Sequence, residues 1–232
     1  MNKLNWLFTA YSAIAMVIII ERLLPSPTLQ PFNFIRLHEI NQTVIFITAT
    51  VVLSFFYLKV VTDNFQNLKN RTNSFAALVF LVGIYLYGAG EGWHEVASFT
   101  LNTYCDTKML IGNLCNGLFI NDYYAGNIIF FIGSLLVTVP LLYLASKFVI
   151  KKFTKKEMVV LSLNSLVYAF TWFAYAAFDK VLIGLFFSAL LMVISWVFVA
   201  KIRFKYRAYP FITYSTVAYT LSTIATVLVK LR

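Results

Sequence analysis

Charge is what this sequence has least of. Only 12% of its 232 residues are Asp, Glu, Lys or Arg, about half the share of an ordinary soluble domain. With 60% hydrophobic residues and a mean hydropathy of +0.78, one soluble core of this length cannot enclose the apolar surface. Lipid has to solvate the excess. Cysteine occurs twice, with no Cys-x-x-Cys spacing to depress a thiol pKa, which argues against dithiol redox chemistry. The long apolar runs carry no carboxylate, histidine or arginine near their middles. Proton relays, voltage sensors and ion pathways usually need such groups, so proton-coupled transport is disfavoured. The last run has no lysine before Lys230, which excludes a retinal Schiff base.

What is present is a series of apolar runs, at 6–24, 43–61, 75–97, 128–150, 158–178, 181–200 and 209–229. Each has about the 20 residues needed to cross a bilayer as a helix. The runs are continuous, unlike the alternating ~10-residue strands of a membrane barrel. The expected fold is an all-α integral membrane protein, a bundle of about seven transmembrane helices forming a single domain over 1–232. Its weakest joint is Asp179-Lys180, the only interruption between the fifth and sixth runs. A helix spanning both would be roughly 64 Å long, too long for one crossing, so a tight hairpin is expected.

The net charge of +10 is a topology signal. Lys59, Lys69 and Arg71 follow the second run, Lys147, Lys151, Lys152, Lys155 and Lys156 the fourth, and Lys201, Arg203, Lys205 and Arg207 the sixth. The positive-inside rule puts these loops and Lys3 in the cytoplasm, with the N-terminus inside and the C-terminus outside. No basic soluble domain exists to hold nucleic acid. The start of the chain resembles a signal peptide, but Glu21-Arg22 and then Pro25, Pro27 and Pro31 follow it in place of a small-residue cleavage site. It reads as a retained first helix. A bacterial inner membrane and a eukaryotic plasma or organelle membrane both fit.

On this topology only Asp63 and Glu157 are cytoplasmic acids; both histidines and the other acids lie at the outer boundary. Cys105 and Cys115 share an outer connection and read as a disulfide. The third run ends Gly88-Ala89-Gly90-Glu91-Gly92-Trp93-His94-Glu95. On a helix Glu91 shares a face with His94 and Glu95, and Glu-x-x-His is how helical bundles bring a carboxylate and an imidazole to one ion. Gly88 and Gly92 form a small-xxx-small pair that would let a neighbouring helix, or a partner helix, approach closely. His38, Glu39 and Asp122 are candidates to converge there, Asp122 at the N-terminus of the fourth helix.

Three readings fit this cluster: a metal or acid/base site, a structural network paired with Arg22 and Arg36, or a solvated rim. In the first, His38, Glu39, His94 and Asp122 form the shell of a divalent metal such as zinc, and Glu91 and Glu95 are catalytic. Such an ion lowers the pKa of bound water to about 7. Polar stripes also run along the fifth helix (Asn164, Tyr168, Thr171, Tyr175) and the seventh (Thr213, Thr216, Thr220, Thr223). They suit interhelical hydrogen bonds or a cavity for an amphipathic molecule, which Pro140 could widen by kinking the fourth helix.

In general plan the chain resembles the integral membrane hydrolases that include ceramidases and progestin/adiponectin-type receptors, with seven helices and a metal site near one membrane face. Their paired histidines on a late helix are missing, so the resemblance carries no residue across. The expected function is a membrane enzyme acting on a lipid-like or amphipathic substrate. The alternatives are a carrier or channel for a neutral solute, and a non-catalytic assembly or sensory subunit.

Overall fold

The computed structural model describes residues 3–30, 35–149 and 152–231. Seven helices in it are long and apolar enough to cross a membrane: α1 (Lys3–Leu23), α2 (Leu37–Val61), α3 (Arg71–Tyr104), α4 (Gly112–Lys147), α5 (Lys155–Phe178), α6 (Ile183–Lys201) and α7 (Pro210–Lys230). No strand occurs among the described residues; an isolated bridge joins Thr28 and Arg36. Pro31, Ile150 and Lys151, which entered the sequence reading, lie outside them.

Local chemistry sets several helix starts. The Asn70 side chain accepts from Thr72 N–H at the start of α3. Thr154 and Glu157 form a reciprocal capping box at α5, and Pro210 occupies the first turn of α7, where its missing N–H costs nothing. Asp179 begins the turn between α5 and α6, so the expected hairpin is present there.

Two spans differ from expectation. Helix α3 runs to Tyr104, and α4 begins at Gly112, well before residue 128. Asn113, Asn116, Asn121 and Asp122 interrupt the apolar pattern of α4 and hid its first turns from a hydropathy reading. At about 1.5 Å per residue, α3 and α4 are each roughly 50 Å long against a hydrocarbon core of ~30 Å. The sulfurs of Cys105 and Cys115 lie at the bonding distance of 2.05 Å where these helices meet. The other end carries the lysine- and arginine-rich connections, tied by an exchange between Phe153 and Arg207: Phe153 N–H donates to Arg207 O, and Arg207 Nε to Phe153 O. These are called the disulfide end and the basic end below.

Glycines set the seam between α3 and α4. A Cβ on Gly90 would sit 2.1 Å from Phe130 N, one on Gly133 2.2 Å from Tyr87 N, and one on Gly126 2.8 Å from His94 Cα. The backbones are in contact, which fixes the register of every side chain along the seam. The tight approach therefore does not use Gly88 and Gly92. Those two face α2 more loosely, with Ile47 Cγ2 at 3.2 Å and Thr43 Cγ2 at 3.9 Å. The threonine stripe of α7 is spent on packing: Thr223 bonds Ser188 at 2.8 Å, Thr220 accepts from Trp196, and Thr213 and Thr216 bond main-chain carbonyls.

Gly90→Ala should therefore cost about 3 kcal/mol or more, because the neighbouring backbone has to move. Gly92→Ala should stabilise by up to ~1 kcal/mol through helix propensity alone. Thermal unfolding of the two variants in detergent checks the opposite signs.

Candidate functional site

Near the disulfide end both α2 and α4 widen into a π-helical turn, at Asn41–Phe46 and Asn121–Gly126. A π-turn inserts one residue into an α-helix and re-aims the side chains beside it, often at functional sites. The first follows His38 and Glu39; the second contains Asp122. Asp122 is thus not at a helix N-terminus, because α4 starts ten residues earlier.

The expected residues divide into two groups. In the first, one ligand atom each from His38, Glu39 and Glu95 lies within 4.8 Å of the others. His38 Nδ1 is 2.5 Å from Glu21 Oε2, and its Nε2 is 3.9 Å from Glu95 Oε2. Glu21 is itself held by Gln42 at 2.9 Å and Asn41 at 3.2 Å, while His38 N–H donates to Ser26 Oγ. A carboxylate on Nδ1 fixes the ring and frees the Nε2 lone pair for a ligand, as around metal-bound histidines. Two ligands of a tetrahedral ion at about 2.1 Å each lie ~3.4 Å apart, so Nε2 and Oε2 have to close by about half an ångström to share one.

Two arginines hold the same carboxylates. Arg22 pairs with Glu95 Oε1, and Arg36 pairs with both oxygens of Glu39 while stacking over Phe99. Glu39 Oε2 also accepts from Arg36 N–H.

The second group lies against α4 and α5. His94 Nδ1 is 2.8 Å from Asp122 Oδ1 and bonds the main-chain oxygen of Asp122 at 3.2 Å. The ring nitrogen is aligned on the carbonyl, and Oδ1 has no aligned donor among the described residues. Glu91 receives the Tyr175 hydroxyl on both oxygens, at 2.8 and 2.9 Å. The two histidines thus serve different partners, and His94 and Asp122 do not join His38 and Glu39 in one shell. Helical geometry explains the split: on α3, Glu95 turns toward α1 and α2 while His94, one residue earlier, turns into the α4 seam at Gly126.

Against the second group lies a cavity of about 340 Å³, within the range of small-molecule sites; His38, Glu39 and Glu95 do not border it. Arg22, His94, Asp122, Tyr123 and Tyr175 give it a polar wall, and Ile18, Ile19, Ala174 and Phe178 an apolar one. The Arg22 guanidinium lies over the Tyr175 ring at 5.7 Å, so one cation touches both groups. Asp179 also borders the cavity and accepts from Asn127 Nδ2 at 3.0 Å. Burial pushes its carboxyl above the ordinary range, and the Val181 N–H works against that shift. Its contribution to stability is greatest when protonated and falls as pH rises through that raised value.

Glu39, Glu91, Glu95 and Asp122 are all buried, and Glu21 stands beside them. Arg36 meets Glu39, Arg22 meets Glu95, the His38 and His94 rings meet Glu21 and Asp122, and Glu91 takes the Tyr175 hydroxyl. Isolated buried charges are costly and are met by pairing, protonation or a cation.

Sequence reasoning missed Glu21 and Tyr175 as members. Tyr175 was visible as the end of the polar stripe on α5, and Glu21 as the acid next to Arg22.

No family model matches the chain. Neither a curated protein nor a solved structure is similar to it.

Removing the Arg22 guanidinium should show how far Glu95 depends on it. Arg22→Ala leaves Glu95 buried and unpaired, an expected loss of about 3 kcal/mol, at the low end for buried pairs because the arginine side chain is 37% exposed. Arg22→Ala combined with Glu95→Gln should recover most of that loss in thermal unfolding.

Proposed function

We propose that this chain is a single-domain, multi-pass membrane enzyme that uses a divalent metal, with its disulfide end outside and its N-terminus cytoplasmic. His38, Glu39 and Glu95 bind the metal, zinc or a similar ion, through one imidazole and two carboxylates. His94, oriented by Asp122, is the acid/base, and Glu91 with Tyr175 positions the substrate. The observation that carries the reading is the His38 ring, tethered by Glu21 at Nδ1 and presenting Nε2 toward Glu95.

The substrate is a lipid-like or small amphipathic molecule. Support comes from the cavity with one polar and one apolar wall, set between helices long enough to cross a bilayer. The metal would supply a water of lowered pKa or polarise a carbonyl or phosphoryl oxygen. The orientation rests on the three basic connections and on a cysteine pair at bonding distance at the opposite end.

A second reading has its own observation. Arg36 occupies both oxygens of Glu39, and Arg22 one oxygen of Glu95, which is how a purely structural ion-pair network would be built. In that case the end of the bundle is a rigid platform for a partner.

Elemental analysis of protein purified without chelators separates the two. The enzyme reading expects about one divalent ion per chain. His38→Ala should lose it, and His94→Ala should keep it while losing turnover of amphipathic esters, amides or phosphoesters. Absence of any bound or bindable metal, with the thermal midpoint unmoved by zinc, would leave the structural network as the answer.

A further inference from the structure

Beneath the 340 Å³ cavity, three smaller ones follow each other into the bundle, of about 80, 30 and 40 Å³. Tyr11 and Tyr168 border all three. The first also borders Glu91 and shares Tyr175, Thr171 and Ile18 with the large cavity. The second shares Thr50, Tyr87 and Ser134 with the first, and Ser54 and Thr138 with the third. The three thus form one file leading inward from Glu91. Toward the basic end it meets packed rings: Phe8 stacked on Tyr214 at 4.2 Å, Phe8 tilted against Tyr57 at 5.6 Å and Tyr57 edge-on to Phe211 at 5.7 Å.

Size and polarity select the occupant. None of the three spaces approaches the roughly 300 Å³ of a small-molecule pocket. A water molecule occupies about 30 Å³ of liquid and needs two to four polar partners. The decisive feature is at the closed end. Tyr57 and Tyr214 are each 4% exposed and both border the 40 Å³ space. The Tyr57 hydroxyl has no hydrogen-bond partner among the described residues, and the Tyr214 hydroxyl has only its approach to Ser12. A hydrocarbon chain there would leave the Tyr57 hydroxyl unmet, whereas a water can bond it.

We propose that the bundle interior binds a file of ordered water molecules, from Tyr57 and Tyr214 to the Glu91–Tyr175 pair. Its ligand is water, and its role is to hydrate the Glu91 carboxylate from within the bundle, on the face away from Arg22. The file stands independently of the metal reading, since it involves none of His38, Glu39 or Glu95.

Two measurements on the purified full chain test it. X-ray radiolytic labelling generates hydroxyl radicals on bound water, so Tyr57 and Tyr214 should label in the folded protein. Phe8 and Phe80, fully buried, should not. Thermal midpoints of Tyr57→Phe and Tyr214→Phe give the second readout. With water present, each substitution removes a partner of that water, and the midpoint stays level or falls. A dry or lipid-filled space leaves both tyrosines unlabelled. An unmet buried hydroxyl is destabilising, so a rise in midpoint on its removal also overturns the proposal, even with labelling.

Discussion

A carboxylate moved from water into an apolar bundle loses solvation that only a charge, several hydrogen bonds or a proton can replace. The disulfide end places Glu21, Glu39, Glu91, Glu95 and Asp122 in that position and sets Arg22, Arg36, His38 and His94 against them. Much of the local architecture answers this demand. Arg36 turns back on Glu39 at the start of α2, Gln42 and Asn41 reach Glu21, and Tyr175 spans both oxygens of Glu91. The π-turns fall where these groups have to be aimed, and each of them brings an extra residue into the turn next to a carboxylate. Replacing such a network by apolar side chains is often neutral or stabilising, so pairing by itself gives little reason to keep it.

The glycine seam makes this arrangement stiff. Where α3 and α4 touch backbone to backbone at Gly90, Gly126 and Gly133, neither helix can slide without collision. His94 and Glu95 are adjacent in sequence yet are sent to opposite sides of α3, one to Asp122 and the other to Arg22 and His38. A looser helix pair would blur that division. Dispersion across the seam is the usual source of helix association where lipid removes the hydrophobic drive, and glycine allows the closest approach.

The seven apolar runs, the hairpin at Asp179 and the location of the cysteine pair were legible in sequence because each depends on local composition. The ends of α3 and α4 were not, since Asn121 and Asp122 look like a loop until a neighbouring helix covers them. The cluster was half legible. Glu91, His94, Glu95, His38, Glu39 and Asp122 could be named from their rarity in an apolar chain, but their partition could not. That partition depends on helix rotation, which the seam sets through Gly90, Gly126 and Gly133, whereas Gly88 and Gly92 carried the more familiar spacing. The stripe of α5 carried information that period alone left ambiguous: Asn164 bonds Thr9 on α1, while Tyr168, Thr171 and Tyr175 line interior space.

The two groups are neighbours, and Arg22 is where they meet. Its guanidinium is committed to Glu95 on one side and lies on the Tyr175 ring on the other, while bordering the large cavity. Any ligand that draws Arg22 toward itself leaves Glu95 with one carboxylate oxygen free, next to His38 Nε2. A cation binding between Glu95 and His38 does the reverse, since it competes with Arg22 for the carboxylate and turns the guanidinium toward the cavity. On the proposed metal reading, occupancy of either place would therefore favour occupancy of the other through the Arg22 side chain, and linkage requires that coupling to be mutual.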